Sequence, residues 1–256
     1  MKKVFLLALQ NICFQLYFFL DKLGFFNINI IDTVFIKFYF LYKSKLESIN
    51  LDFLELYLSK NITVVDVGAN IGYFTVQISK YLNSSCSIIA IEPNKKNVHR
   101  MNKTLNNLSP LPVVNVLQVG LSDLTGISYL KLDPKNPANH QITKYKEKGE
   151  KINIITLDSL CSDRLNVRLV KIDVQGHEFE VLKGGENLII TQSPMFLIEI
   201  DNRTSPELAA KIWDYLNFYS YFILSADKEK KVLTRSELIN RKGYFDIFCI
   251  SKKFYK

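Results

Sequence analysis

A chain of 256 residues is long enough for one large α/β domain with a real core and short for a second. Its apolar fraction of 48%, with ten glycines and seven prolines spread without runs, excludes disordered and collagen-like chains. The net charge of +8 is dispersed over small groups such as Lys95-Lys96 and Lys252-Lys253, which reads as a solvated basic surface or as attraction to anionic headgroups or an acidic glycan.

In chain order the N-terminus comes first. Val4 to Leu20 carries no charge and follows Lys2-Lys3, but no small-residue cleavage site comes after it, so a secretion signal is not expected. Its seventeen residues would cover roughly 25 Å as a helix against a hydrocarbon core of about 30 Å, too little for a comfortable span. A second segment, Thr33 to Ile49, is aromatic at the front and basic toward its end. Residues 1–60 are therefore expected to form an apolar helical extension, packed on the domain or a partner, or touching a membrane surface peripherally through residues 1–50. The protein is expected to be cytoplasmic, in the last case at the inner face of the membrane. Cys13, Cys86, Cys161 and Cys249 lack redox or zinc spacing and His99, His140 and His177 are the only histidines, so reduced thiols and no metal are expected.

From Asn61 to the end, short apolar strands alternate with helical stretches, the βαβα pattern of a parallel sheet covered on both faces. Strands are expected at Thr63 to Val67, Ser87 to Ile91, Val113 to Val119, Val167 to Ile172 and Met195 to Ile200. Helices are expected at Tyr73 to Tyr81, Asn94 to Asn106, His177 to Lys183 and Pro206 to Phe218. Residues 124–157 read as an inserted hairpin on the substrate side. YFILS (221–225), KVLT (231–234) and FDIFCIS (245–251) read as C-terminal strands that pair antiparallel.

The first strand runs into DVGANIG, residues 66–72. A dinucleotide fingerprint would place glycine where Asn70 stands, and a P-loop would continue with Lys-Ser/Thr, so neither phosphate-binding turn is met. Asp66 at the strand end repels phosphate but suits a ligand with ammonium and sulfonium groups. Glu92, closing the second strand, is placed to reach ribose hydroxyls. Together these point to S-adenosylmethionine.

VVDVGANIGYFT, IAIEPNKKN, VGLSDLTG, ITLDSL, LVKIDVQGHEFEVLKGG and FLIEI, in that order from about Val64 to Ile200, resemble the FkbM-type family of S-adenosylmethionine-dependent methyltransferases. The resemblance implies a class I methyltransferase fold: Rossmann-like, with a mostly parallel seven-stranded sheet, an antiparallel C-terminal hairpin and helices on both faces, here with the N-terminal helical extension. It implies that Asp66, Gly68, Asn70 and Gly72 hold the methionine part, Glu92 the ribose, and Ser122 with Asp123 the adenine. It also implies O-methylation of a hydroxyl on a sugar, glycan or other small acceptor, with substrate choice in the loop from Pro134 to Lys151.

Methyl transfer to a hydroxyl benefits from a base. Asp173 ends the fourth strand beside the first, at the mouth of the same crevice. His177 and His140 are further candidates, set against a positioning role for Asp173, a helix cap for His177 and an ordinary loop role for His140. Glu178 and Glu180, two residues apart, read as solvated helix positions. A nucleic-acid methyltransferase would want an Asn/Asp-Pro-Pro-aromatic motif or a Pro-Cys nucleophile; the fourth strand gives DVQG and no Pro-Cys occurs, so no specific nucleic acid is expected. The remaining alternative is a cofactor-fold binding module without turnover.

Overall fold

The computed structural model describes residues 29–46, 51–106, 112–132, 140–161, 165–203 and 206–255. The apolar stretch Val4 to Leu20 and Cys13 lie outside them. Within the described residues the elements run α1 (Asn29–Leu46), α2 (Asp52–Glu55), β1 (Thr63–Val67), α3 (Tyr73–Ser79), β2 (Ser87–Ile91), α4 (Lys95–Leu105), β3 (Val113–Leu117), β4 (Gly120–Leu121), β5 (Gly126–Lys131), β6 (Gln141–Thr143), β7 (Glu150–Ile155), α5 (Leu157–Leu160), β8 (Val167–Ile172), α6 (Glu178–Lys183), α7 (Glu186–Gln192), β9 (Met195–Asp201), α8 (Pro206–Phe218), β10 (Tyr221–Ser225), α9 (Arg235–Asn240) and β11 (Tyr244–Ser251).

The main sheet has seven strands in the order β10-β11-β9-β8-β1-β2-β3. β3, β2, β1, β8 and β9 are parallel, and β11 lies antiparallel between β9 and β10. This is the class I methyltransferase layout, with the order reversing between β1 and β8. Strands buried on both faces need apolar residues throughout, which is why TVVDV is buried from end to end. Val65, Val67, Val170 and Ile198 face one core with Leu182, Ile189 and Ile212 from α6, α7 and α8. Val64, Leu169, Leu197 and Phe248 face the other with Leu54, Phe74 and Ile78. A fully buried Val or Leu of this kind contributes roughly 1.5–3 kcal/mol.

Two expectations are corrected. KVLT is not a strand: only the bridge Leu224 to Val232 forms, and Thr234 opens α9 with a capping box to Glu237. β10 and β11 do pair antiparallel, but across that helix. The insertion is more than a hairpin, since β5 pairs with both β6 and β7 while β4 joins β7, giving a second sheet of order β4-β7-β5-β6. Gly184 is the C-cap of α6, and both it and Gly185 have negative φ. They are glycine because a Cβ would stand 2.1 Å from the Ser122 carbonyl oxygen and 2.6 Å from Leu157 Cδ2.

α1 docks beside the first turn of the sheet. Ile36 and Tyr39 pack with Ile71, and Phe40 meets the Tyr73 ring edge-on at 5.4 Å. At its start Asp32 accepts from Arg100 Nε of α4 at 2.7 Å, with both side chains buried. Val34, Phe38 and Leu41 face outward. No helix among the described residues is long and apolar enough to cross a membrane.

Candidate functional site

The turn after β1 is left-handed at Gly68 (φ +78), Asn70 (φ +52) and Gly72 (φ +86), a region glycine enters freely and asparagine tolerates. A Cβ on Gly68 would stand 1.9 Å from the Asp173 carbonyl oxygen, so only glycine lets this turn touch the loop after β8. The amides of the turn point inward. Gly68 and Ala69 donate to the Ile91 carbonyl at 3.0 and 2.9 Å, and Gly72 donates to the Ala69 carbonyl at 2.8 Å. Asn70 N donates to Glu92 Oε2 at 2.9 Å.

The N-terminus of α3 is occupied as well. Asp66 Oδ2 accepts from Thr75 Oγ1 at 2.6 Å, and the Thr75 amide also supports this carboxylate. A carboxylate of the protein thus fills the place where a helix N-terminus attracts an anion, which leaves no seat for a pyrophosphate. Asp66 is fully buried, and its Oδ1 has no hydrogen-bond donor, with Lys171 Nζ at 3.9 Å. Burial pushes its proton affinity up, more than Lys171 and Thr75 pull it down. Sealed behind the turn, Asp66 presents no exposed oxygen and can influence a ligand only through its field.

Glu92 accepts from Asn94 N at 2.9 Å and from Asn97 Nδ2 at 3.4 Å in addition to Asn70. Burial pushes its carboxyl up to about 7 despite these bonds. Oε2 accepts one bond in the turn and retains a second lone pair, so the group suits a ligand that offers hydroxyl donors.

On the other face, Ser122 Oγ lies 3.0 Å from His177 Nε2, and Asp123 accepts from Lys183 Nζ at 2.9 Å, which lowers the Asp123 carboxyl. His177 occupies the N-cap position of α6, yet its side chain caps nothing. Burial lowers its proton affinity, partly offset by Glu180 and Asp123. The structure thus groups His177 with Ser122 and Asp123. His140 immediately precedes β6 on the second sheet, half-buried.

Glu178 corrects its sequence reading. It is 3% exposed, and its carboxylate accepts from Val174 N at 3.3 Å and from Gly176 N at 3.0 Å, pinning the loop after β8. Burial pushes it up to about 7.

At the end of β8, Asp173 accepts from Lys171 Nζ at 3.2 Å and from Gln175 Nε2 at 2.8 Å. Gln175 Nε2 also donates to Glu199 Oε1 at 3.1 Å. Lys171, and Lys43 from α1, hold the Asp173 carboxyl below its ordinary range against the cost of burial. Lys171 was missed in the sequence, although a lysine inside the apolar run VRLVKI is itself a signal, since lysine is almost never fully buried unless paired. Among the described residues no group of three or more His, Cys, Asp or Glu is arranged to hold a metal.

The sequence profile of the methyltransferase FkbM domain matches residues 66–223. The hexuronic acid methyltransferase AglP of Haloferax volcanii is 31% identical over 155 residues, which are 57% of this chain and 59% of AglP. The crystal structure of the methyltransferase FkbM from Methylobacillus flagellatus KT superposes with a TM-score of 0.49 at 18% identity, over 75% of this chain and 44% of that one. The precorrin-6y C5,15-methyltransferase from Geobacter metallireducens GS-15 gives a TM-score of 0.45 at 13% identity, over 80% of this chain and 88% of the other.

Proposed function

Because the chain belongs to the FkbM family of methyltransferases, we propose that it methylates a hydroxyl of a sugar, glycan or other small acceptor with S-adenosylmethionine. The observation that carries this reading is the turn at 66–72, whose anion seat is filled by Asp66 and whose neighbour Glu92 accepts a hydrogen bond from the Asn70 amide. That pairing favours a ligand with a cationic centre and a diol over a phosphate. AglP's name gives it a hexuronic acid as substrate, which supports oxygen on a sugar as the acceptor here. The extension at 1–60 and the catalytic domain at 61–256 belong to the same proposal, as do a cytoplasmic location and a peripheral membrane contact through residues 1–50.

When bound, S-adenosylmethionine supplies a methyl group on a positively charged sulfur. Gly68, Asn70 and Gly72 would line its methionine part, with Asp66 adding a buried negative charge that favours the cation. Glu92 would accept the ribose hydroxyls, and Ser122, Asp123 and His177 would border the adenine. Asp173 holds the acceptor hydroxyl and takes its proton as the oxygen is methylated. Its lowered proton affinity keeps it ionised at neutral pH. Alignment and exclusion of water supply most of the remaining acceleration.

The test is incubation with methyl-labelled S-adenosylmethionine and fractionated glycans, lipids, nucleic acids and small metabolites. Label is expected in a sugar-bearing fraction; label in nucleic acid, or none with the cofactor still bound, overturns the reading. Asp173→Asn is expected to lower kcat by about 10²–10⁴-fold, while calorimetry shows cofactor affinity unchanged within about threefold, since Asp173 holds the acceptor side.

A further inference from the structure

Gln175 and Glu199 play no part in the reaction just described, yet Gln175 is bonded to both Asp173 and Glu199. Gln175 adopts a left-handed backbone (φ +56), unfavourable for a long side chain, and Glu178 fixes that conformation by binding the amides of Val174 and Gly176. The result places one amide nitrogen between two carboxylates, 2.8 Å from Asp173 and 3.1 Å from Glu199. In front of it Gly176 is exposed, with no atom within 4 Å of where a Cβ would stand.

The carboxylates belong to neighbouring strands at one level. Lys171 pairs with Leu197 and Ile172 with Ile198, so Asp173 and Glu199 form the next rung, on the face that carries Leu169 and Leu197. Asp246 of β11 stands opposite Glu199. Acids directly across a sheet repel, and here they line up at the carboxyl ends of β8 and β9, beside the crevice where ligands of open α/β sheets bind. The positive charges of Lys171, Lys43 and Arg203 act on this row without neutralising its acceptor-only chemistry.

Resting on the proposed function, we infer that Asp173, Gln175 and Glu199 form a rack reading two neighbouring hydroxyls of one sugar ring. Asp173 takes the hydroxyl to be methylated. Glu199 accepts from the hydroxyl beside it and decides specificity, and Gln175 is a positioning residue that fixes the spacing of the two carboxylates. Carboxylates accept and never donate, so a hydroxyl is a neutral group that each can bind beside its present partners. Both remain half-buried and reachable.

The experiment measures kcat and KM at saturating S-adenosylmethionine for methyl glucuronoside, methyl glucoside and their monodeoxy and monoamino forms, with cofactor Kd and Tm read separately. For the wild type, removing the hydroxyl next to the methylated one is expected to raise KM about tenfold or more. Glu199→Gln keeps an oxygen for the Gln175 amide but loses the charge. It is expected to raise KM about tenfold, leave kcat and cofactor Kd within about threefold, and reduce the deoxy penalty to under about threefold. Gln175→Gly relieves the left-handed backbone, so Tm should hold or rise while KM rises; a merely structural role predicts no such split. Wild-type kinetics and an unchanged deoxy penalty in Glu199→Gln would overturn the rack, and so would better turnover of an aminosugar, which would make the row a cation site. Those outcomes leave methyl transfer standing. Cofactor binding without transfer to any sugar refutes the proposed function and the rack with it.

Discussion

Glu178 and Glu180 stand two apart on α6, a spacing that sends them to different sides of the helix and suggests two solvated acids. Only Glu180 fits that picture, because Glu178 turns back to bind two loop amides and is buried. With Glu92 it forms a pair of carboxyls pushed up to about 7 from an ordinary 4.5. Their contribution to stability is complete below the unfolded value and is lost as pH rises through the folded one. His177, whose proton affinity is lowered, acts in the opposite sense, an effect that fades as pH rises above its ordinary 6.5. Between pH 6.5 and 8 the ligand-free protein should therefore lose unfolding free energy, on the order of 1 kcal/mol, measured by urea denaturation. In Glu178→Gln the slope over this interval should halve; an unchanged slope would show that Glu178 does not titrate there. Asp66, Glu92 and Asp173 were legible as acids at strand ends, where chemistry gathers in this kind of sheet. Gln175 was not, since its role depends on a left-handed bend and on Glu199 arriving from another strand.

At the level of elements, β1, β2, β8 and α8 have the bounds that apolar periodicity predicts, because each is a short run buried by one consistent pattern. KVLT failed because four residues with apolar character do not distinguish a strand from a loop. The helix after it had a signal, Thr234 followed three residues later by Glu237, which is a capping box. α1 shows the other kind of gap. Its aromatic and basic halves suggested a membrane surface or a protein partner, and the side chains that decide its docking, Asp32 and Arg100, lie far apart in sequence. Asp32→Ala removes the carboxylate that accepts from Arg100 Nε and Lys103 Nζ and is expected to cost about 3 kcal/mol, seen as a lowered urea midpoint. Asp32→Asn, which still accepts a hydrogen bond, should lose less. Equal stability in all three proteins would mean that α1 does not depend on this pair.

The molecule as a whole carries +8, and the described lysines and arginines include several around the crevice, among them Lys43, Lys171 and Arg203. A field of this sign raises the local concentration of anionic acceptors and weakens as salt shortens its range to about 8 Å at physiological ionic strength. KM for a uronate-bearing acceptor should thus rise severalfold between low and physiological salt, while KM for its neutral counterpart stays level; parallel behaviour of the two would exclude steering by charge. The contact at Gly68 has a different consequence. The turn after β1 and the loop after β8 meet with no room for a methyl group, and the Asp173 amide donates to the Val67 carbonyl at 3.0 Å, so the two segments are tied as well as packed. If the proposed function holds, this tie fixes the separation between the cofactor side and the acceptor side of the site; Gly68→Ala is then expected to force the two apart and to lower kcat more than it raises the KM of either ligand.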